Sequence, residues 1–234
     1  MNLNFTIKDL TYDKLEKLNI KCSTCQFWVD NSRMSFLDDF SGISTLWGFL
    51  KSKYFELKNL NNRKKFTLFF NNGGGIIKAA FSGKRCIGVL FAGRYYLFPK
   101  LKLFNIYPPD NDSIFLGCIY VMPEYRNLGV GKKLLMSIEK DLIKAKIGSI
   151  ESIGKRLNDD MDLEEYINSP IIPVKFLIKN GFYIKKNDNL FPLLRLDLNS
   201  IAKVFLEGRL FLKNLVLERG ARTPVAIKKI SSDK

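Results

Sequence analysis

The residues of this chain best suited to chemistry crowd into one short stretch. Arg126-Asn127-Leu128-Gly129-Val130-Gly131 is followed at once by Lys132 and Lys133. Before it lies an apolar run, Ile114 to Met122. After it, apolar residues recur at 130, 134, 135, 138, 142 and 143, a helical spacing. A strand that delivers glycines and cations to a helix N-terminus can hold an anionic phosphate group. The first peptide N–H groups of a helix have no partner within it, and glycines remove the Cβ atoms that would block close approach. Arg126 and Lys132 add positive potential to that of the helix dipole. The plainer alternative is a strand-to-helix turn whose glycines serve only its geometry.

Composition narrows what else the chain can do. It has no histidine, which removes Ser-His-Asp and Cys-His catalysis and every metal site that needs an imidazole. A general base must then be a carboxylate, a perturbed lysine, a tyrosine, a thiolate or water. Cys22 and Cys25 have metal or redox spacing, but two thiolates do not complete a zinc site. Cys86 and Cys118 fall singly within expected strands, where cysteine usually packs as a small hydrophobe. No metal is therefore expected. The net charge of +15 implies attraction to anions. The lysines are spread along the chain, which favours a generally basic surface over a dedicated nucleic-acid face. No apolar run is long enough to span a membrane, and the N-terminus lacks the pattern of a signal peptide, so a cytoplasmic protein is expected.

The elements that must position the glycine turn follow from periodicity. Residues 3–7 alternate as a strand, and Thr11 is placed to cap a helix. Apolar residues at 43, 46, 47, 50, 54 and 57 predict a helix over 41–60. Arg63-Lys64-Lys65 reads as a polar connection and Phe66 to Phe70 as a strand. Gly73-Gly74-Gly75 is a turn, since no Walker pattern surrounds it. Residues 76–81 and 86–92 flank a hairpin turn, and the aromatic stretch 95–109 reads as a loop over a face. Ile114 to Met122 is a buried strand, and Gly148 ends the helix that starts at Val130. A strand over 149–153, a loop or short helix over 155–169, a helix over 173–180 stopped by Gly181, and strands over 182–185 and 191–198 complete the body. Residues 199–234 form an extension, an apolar segment and then a basic tail. The order is a mixed α/β chain around one sheet.

The stretch Val121-Met-Pro-Glu-Tyr-Arg-Asn-Leu-Gly-Val-Gly-Lys-Lys-Leu-Leu resembles the acetyl-CoA signature of the GNAT superfamily of N-acetyltransferases. Phe176-Leu-Ile-Lys-Asn-Gly181-Phe182 resembles that superfamily's last helix and its Gly-Phe exit, and the element order is similar from about residue 3 to residue 198. Cys-x-x-Cys-x-x-Trp near the N-terminus and Phe-Pro-Leu-Leu-Arg-Leu resemble a poorly characterised bacterial and archaeal subgroup. The resemblance implies a mostly antiparallel central sheet flanked by helices in residues 1–198. It also implies acetyl-CoA as co-substrate. Backbone groups of Ile119 and Val121 would bind the pantetheine arm. The amides of Asn127, Leu128, Gly129, Val130, Gly131 and Lys132 would hold the pyrophosphate, with Arg126 beside it. A primary amine, on a small molecule or a peptide, would attack the acetyl carbon directly. Glu151, on the adjacent strand, is the candidate general base. The family's usual tyrosine, four residues before the glycine of the Gly-Phe exit, is Leu177 here. Tyr166, Tyr183 or water would substitute as the acid, or the thiolate would need no dedicated acid. The alternative is a non-catalytic module that binds acyl-CoA, nucleic acid or protein on the same fold. A homodimer stays open.

Overall fold

The computed structural model of the chain describes residues 3–25, 27–28, 62–157 and 169–199. Its strands are Thr6–Leu10 (β1), Ile76–Ser82 (β2), Arg85–Gly93 (β3), Ile114–Val121 (β4), Ser149–Lys155 (β5), Ile172–Pro173 (β6), Tyr183–Lys186 (β7) and Leu193–Asp197 (β8). They form one sheet in the order β1-β2-β3-β4-β5-β8-β7, with β6 paired to the end of β5. Only β4–β5 and β5–β6 are parallel. The mixed, mostly antiparallel sheet read from the sequence is the one observed. The helices are Tyr12–Glu16 (α1), Asn62–Asn72 (α2), Val130–Lys144 (α3) and Val174–Lys179 (α4). No helix among the described residues is long and apolar enough to cross a membrane.

Several local expectations are corrected. The first strand starts at Thr6 rather than Leu3. Thr11 precedes α1 in an extended conformation, but its hydroxyl makes no cap; Asn71 Oδ1 accepts the Tyr12 N–H instead, at 3.1 Å. Residues 63–70 are helix, not a connection and a strand. Phe66 and Phe70 stand one turn apart and are buried, while Leu68 between them is exposed, so a period near 3.6 overrides the contiguous apolar run. The helix α3 stops before Gly148. Lys146 takes the left-handed conformation at φ 59, and the N–H groups of Lys146 and Ile147 bond back to Ile143 and Leu142, a Schellman closure made without glycine. The hairpin 76–82/85–93 and the stop at Gly181, at φ 90, are as read. The expected helix over 41–60, the loop over 158–168 and the extension from residue 200 lie outside the described residues.

The two faces of the sheet carry different cores. α3 packs on β2, β3 and β4, and Gly88 makes this approach close: a Cβ there would stand 3.2 Å from Val130 and 3.4 Å from Leu134. The other face is aromatic. Tyr12, Phe66, Phe70, Phe91, Phe98, Phe115 and Trp28 pack edge to face at centroid distances from 5.1 to 6.2 Å. Lys78 is buried in β2 and ties the sheet to α3 through Asp141, and to β1 through Asp9 at 2.6 Å. Burial alone would lower its pKa; the two carboxylates reverse that and hold it above the ordinary lysine value.

One irregularity shapes everything downstream. Phe91 pairs with Cys118 but Ala92 pairs with Leu116, so Gly117 is an extra residue, a β-bulge in β4. Only glycine fits, because a Cβ at 117 would lie 2.5 Å from the Phe98 ring. Replacing Gly117 with Val should therefore destabilise the fold by about 1–3 kcal/mol through overpacking, read as a lower urea midpoint with an unchanged m-value.

Candidate active site

A cleft opens where two strands pair and then part. β4 and β5 share two register pairs, Ile114 with Ile150 and Phe115 with Glu151. The Ser152 hydroxyl donates to Leu116 O at 2.8 Å and closes the ladder. Past the Gly117 bulge, β4 continues to Val121 with no strand on that edge among the described residues. β5 continues to Lys155, with β8 on its other edge and β6 alongside Gly154 and Lys155 on the cleft side. Met122 donates its N–H to Ile87 O in β3, so alternation turns the peptide groups of Val121 and Ile119 towards the cleft.

The cleft leads to the glycine turn. Pro123–Tyr125 makes one 3₁₀ turn, and Arg126 Nε donates to Val121 O at 3.2 Å. Asn127 (φ 60) and Gly129 (φ 81) are both left-handed, and residues 126–129 are exposed. The bond from Lys133 N to Gly129 O, at 3.0 Å, opens α3. The N–H groups of Val130, Gly131 and Lys132 thus have no acceptor one turn back, and no side chain caps them. A Cβ at Gly129 would meet nothing within 4 Å. One at Gly131 would stand 3.4 Å from Phe176 and 3.7 Å from Ile119. Val130 is buried and anchors the turn, Lys132 is exposed, and Lys133 lies over the Phe5 ring. The arrangement is an uncapped N-terminus of a fifteen-residue helix, open to solvent, at the end of a cleft lined by peptide groups.

Glu151 lies at the narrow end of this cleft, fully buried and already committed. Its Oε1 accepts from Lys185 Nζ at 2.6 Å and Arg195 Nη1 at 3.1 Å, and its Oε2 from the Asp110 N–H at 2.9 Å. Asp110 bridges the same two cations, and Asp197 holds Arg195 Nε at 2.7 Å. Both lone pairs of Oε1 are engaged, while Oε2 accepts the one N–H of Asp110. This geometry makes Glu151 an ion-pair anchor joining β5, β7, β8 and the loop before β4. Leu177 is fully buried, and Tyr183 on the outer strand donates to Asp197 at 2.9 Å. Tyr166 lies outside the described residues. Cys22, Cys86 and Cys118 are buried free thiols and Cys25 is an exposed one. Burial pushes the Cys22 thiol up to about 12 and Cys118 well above the ordinary range, which suits packing rather than nucleophilic work. No group of three or more ligating side chains suited to a metal occurs among the described residues.

Sequence reasoning missed Lys155, because the strand was expected to end at Ile153. β5 is two residues longer, and Lys155 is 4% exposed. Its Nζ donates to Ser169 O at 2.8 Å. Burial, and then the charge of Arg126, lower its pKa to about 8.

The profile of the acetyltransferase (GNAT) family matches residues 38–160, just over half of the chain. The chain belongs to the GNAT acetyltransferase family. No curated protein sequence matches it. Among solved structures it is similar to the PaiA N-acetyltransferase of Thermoplasma acidophilum in complex with coenzyme A, at 18% identity over 83% of this chain and 99% of that one, with a TM-score of 0.45. A GNAT acetyltransferase of Staphylococcus aureus Mu50 matches at 17% identity over 83% and 99%, TM-score 0.43. The ribosomal-protein-S18-alanine N-acetyltransferase of Escherichia coli matches at 11% over 83% and 94%, TM-score 0.44. None of these three singles out a subgroup that shares the Cys22-x-x-Cys25 turn.

The ion-pair network predicts acid lability. The Lys185 hydrogen bond to Asp110 and the Arg195 hydrogen bond to Asp197 hold both carboxyls below their ordinary range. As pH falls through the unfolded value, near 4, the unfolded chain binds more protons than the folded one, so stability declines from there downward. Urea midpoints measured against pH should show that decline, and Asp110→Asn should make it shallower. At neutral pH, Glu151→Gln should cost about 2 kcal/mol, since both cations keep Asp110.

Proposed function

We propose that this protein moves an acetyl group from acetyl-CoA directly to a primary amine. The observation that carries this reading is the continuity of the cleft with the helix end: cleft-facing Ile119 and Val121 run into a turn that leaves three N–H donors uncapped. Such an end suits a diphosphate, because the donors converge and the helix dipole adds positive potential. Val130, Gly131 and Lys132 would bind phosphate oxygens through their N–H groups, with Asn127, Leu128 and Gly129 completing the cradle and Arg126 beside it. The exposed position of residues 126–129 and the empty space around Gly129 fit a bulky anionic group.

Ile119 and Val121 would fix an extended amide-bearing arm by strand-like hydrogen bonds, as an added strand does on an open edge. When bound, the thioester supplies an acetyl group already activated for attack by nitrogen. A cleft-facing N–H of β4 would stabilise the charge that develops on the carbonyl oxygen. Glu151 and its partners tie β5 to β7, β8 and the loop before β4.

Titration calorimetry should show saturable acetyl-CoA binding by the intact protein. Gly131→Glu would place a carboxylate among the donors and beside Phe176, and should weaken binding by about tenfold or more while the circular dichroism spectrum is kept. Absence of binding by the wild type would overturn the proposal.

A further inference from the structure

The thiols of Cys22 and Cys25 have no part in the acetyl-CoA reading, yet the chain is folded there in a way that suits chemistry of their own. Cys22 lies in the 3₁₀ turn Lys21–Ser23, which ends on Thr24. The turn is pinned at Ile20, whose carbonyl accepts from the Ser23 N–H at 2.9 Å and from the Ser23 hydroxyl at 2.7 Å. The Cys25 N–H then donates to Cys22 O at 3.4 Å. A bond from residue i+3 back to residue i brings the two Cα atoms within about 7 Å, and at 3₁₀ spacing the side chains of i and i+3 eclipse. A disulfide spans Cα atoms about 4.4–6.8 Å apart, so the turn already has the reach of one. The two thiols are close enough for the charge of Cys25 to act on Cys22. Their exposure differs: Cys25 is open to solvent and Cys22 is buried. Cys86 and Cys118 are buried as well, and the sheet holds them in β3 and β4.

We propose that Cys25 and Cys22 form a peroxide-reactive dithiol, in which Cys25 meets the oxidant and Cys22 resolves it into a disulfide. The inference is independent of acetyl-CoA binding. The Cys25 thiolate attacks one oxygen of hydrogen peroxide. The sulfur–oxygen bond forms, the oxygen–oxygen bond breaks, and hydroxide leaves and takes up a proton as water. Cys25 is then a sulfenic acid. Cys22 attacks its sulfur, the sulfur–sulfur bond forms, and hydroxide leaves with the Cys22 proton as a second water. Two electrons have then passed from the thiol pair to the peroxide. Burial, and then the charge of Cys25, push the Cys22 thiol up to about 12, so Cys22 does not compete for the oxidant. The sulfenic acid is neutral, so the second of those causes is gone when Cys22 acts. The charge of Lys21 favours the Cys22 thiolate throughout.

The test uses the whole chain, reduced and then freed of reductant. The folded protein is exposed to hydrogen peroxide, which catalase then removes. Free thiols are blocked with iodoacetamide in urea, and the tryptic peptide 22–33, which carries both residues, is weighed. The wild type should yield that peptide unalkylated and lighter by a pair of hydrogens, and dithiothreitol should restore the dithiol. Cys86 and Cys118 should be recovered alkylated. In Cys22→Ser the disulfide should be lost, and dimedone should trap Cys25 as its sulfenic acid. In Cys25→Ser the oxidation of Cys22 should be slower by about tenfold or more. If Cys22→Ser does not fold, Cys22→Ala takes its place, and the wild-type peptide decides the proposal by itself. A wild type in which Cys25 stops at the sulfenic or sulfinic acid, with Cys22 still alkylated, would overturn the proposal. So would a disulfide to Cys86 or Cys118, or one that joins two chains through Cys25.

Discussion

The parting of β4 from β5 is the constraint on which the rest of the structure depends. Two parallel strands held by a full ladder leave no backbone groups for a ligand. Here the ladder stops after two pairs and a serine hydroxyl. The bulge at Gly117 then bends β4 away, and glycine is required at that position because Phe98 occupies the space a side chain would need. The same bulge resets the alternation, so that Ile119 and Val121 face the cleft while Cys118 packs in the aromatic core. One residue without a side chain thus decides both where the cleft opens and which peptide groups line it.

Holding such an opening requires rigid walls. On one side, α3 is drawn tightly onto the sheet by the absence of a side chain at Gly88 and by the Lys78–Asp141 pair. On the other, Glu151, Arg195, Lys185 and Asp110 tie β5, β7, β8 and the loop before β4 into one charged cluster. Buried ion pairs contribute little net stability, but breaking one is costly, so they resist deformation. The cations in these walls are paired with carboxylates. Lys155, at the end of β5, is shifted the opposite way by burial and by Arg126.

The glycine turn was legible because its information is local. Arg126-x-x-Gly129-x-Gly131 before a helical stripe specifies a turn, a helix start and uncapped donors within six residues, and the observed φ at Gly129 needs no distant contact to explain it. The same holds for the hairpin at Gly83 and the stop at Gly181. Residues 66–70 were misread because a short apolar run fits a strand as well as a buried helix turn; only their packing on Tyr12 and Phe91 reveals the period. The Schellman closure at Lys146 was missed because a left-handed lysine has no composition signal.

What the sequence alone determined is the family's turn, the class of ligand it suits and the absence of imidazole chemistry, since each follows from residue type and spacing along a few positions. What only the tertiary structure decided is which ionisable groups are available in the cleft. The ion pairs that Glu151 Oε1 makes with Lys185 and Arg195, more than thirty residues away, have no signal in the sequence around it. Lys155 falls in a stretch that reads as a loop or short helix, and only the structure shows it as the buried last residue of β5. Proton affinity depends on burial and on charges within a few ångströms, and residues remote in the chain set both.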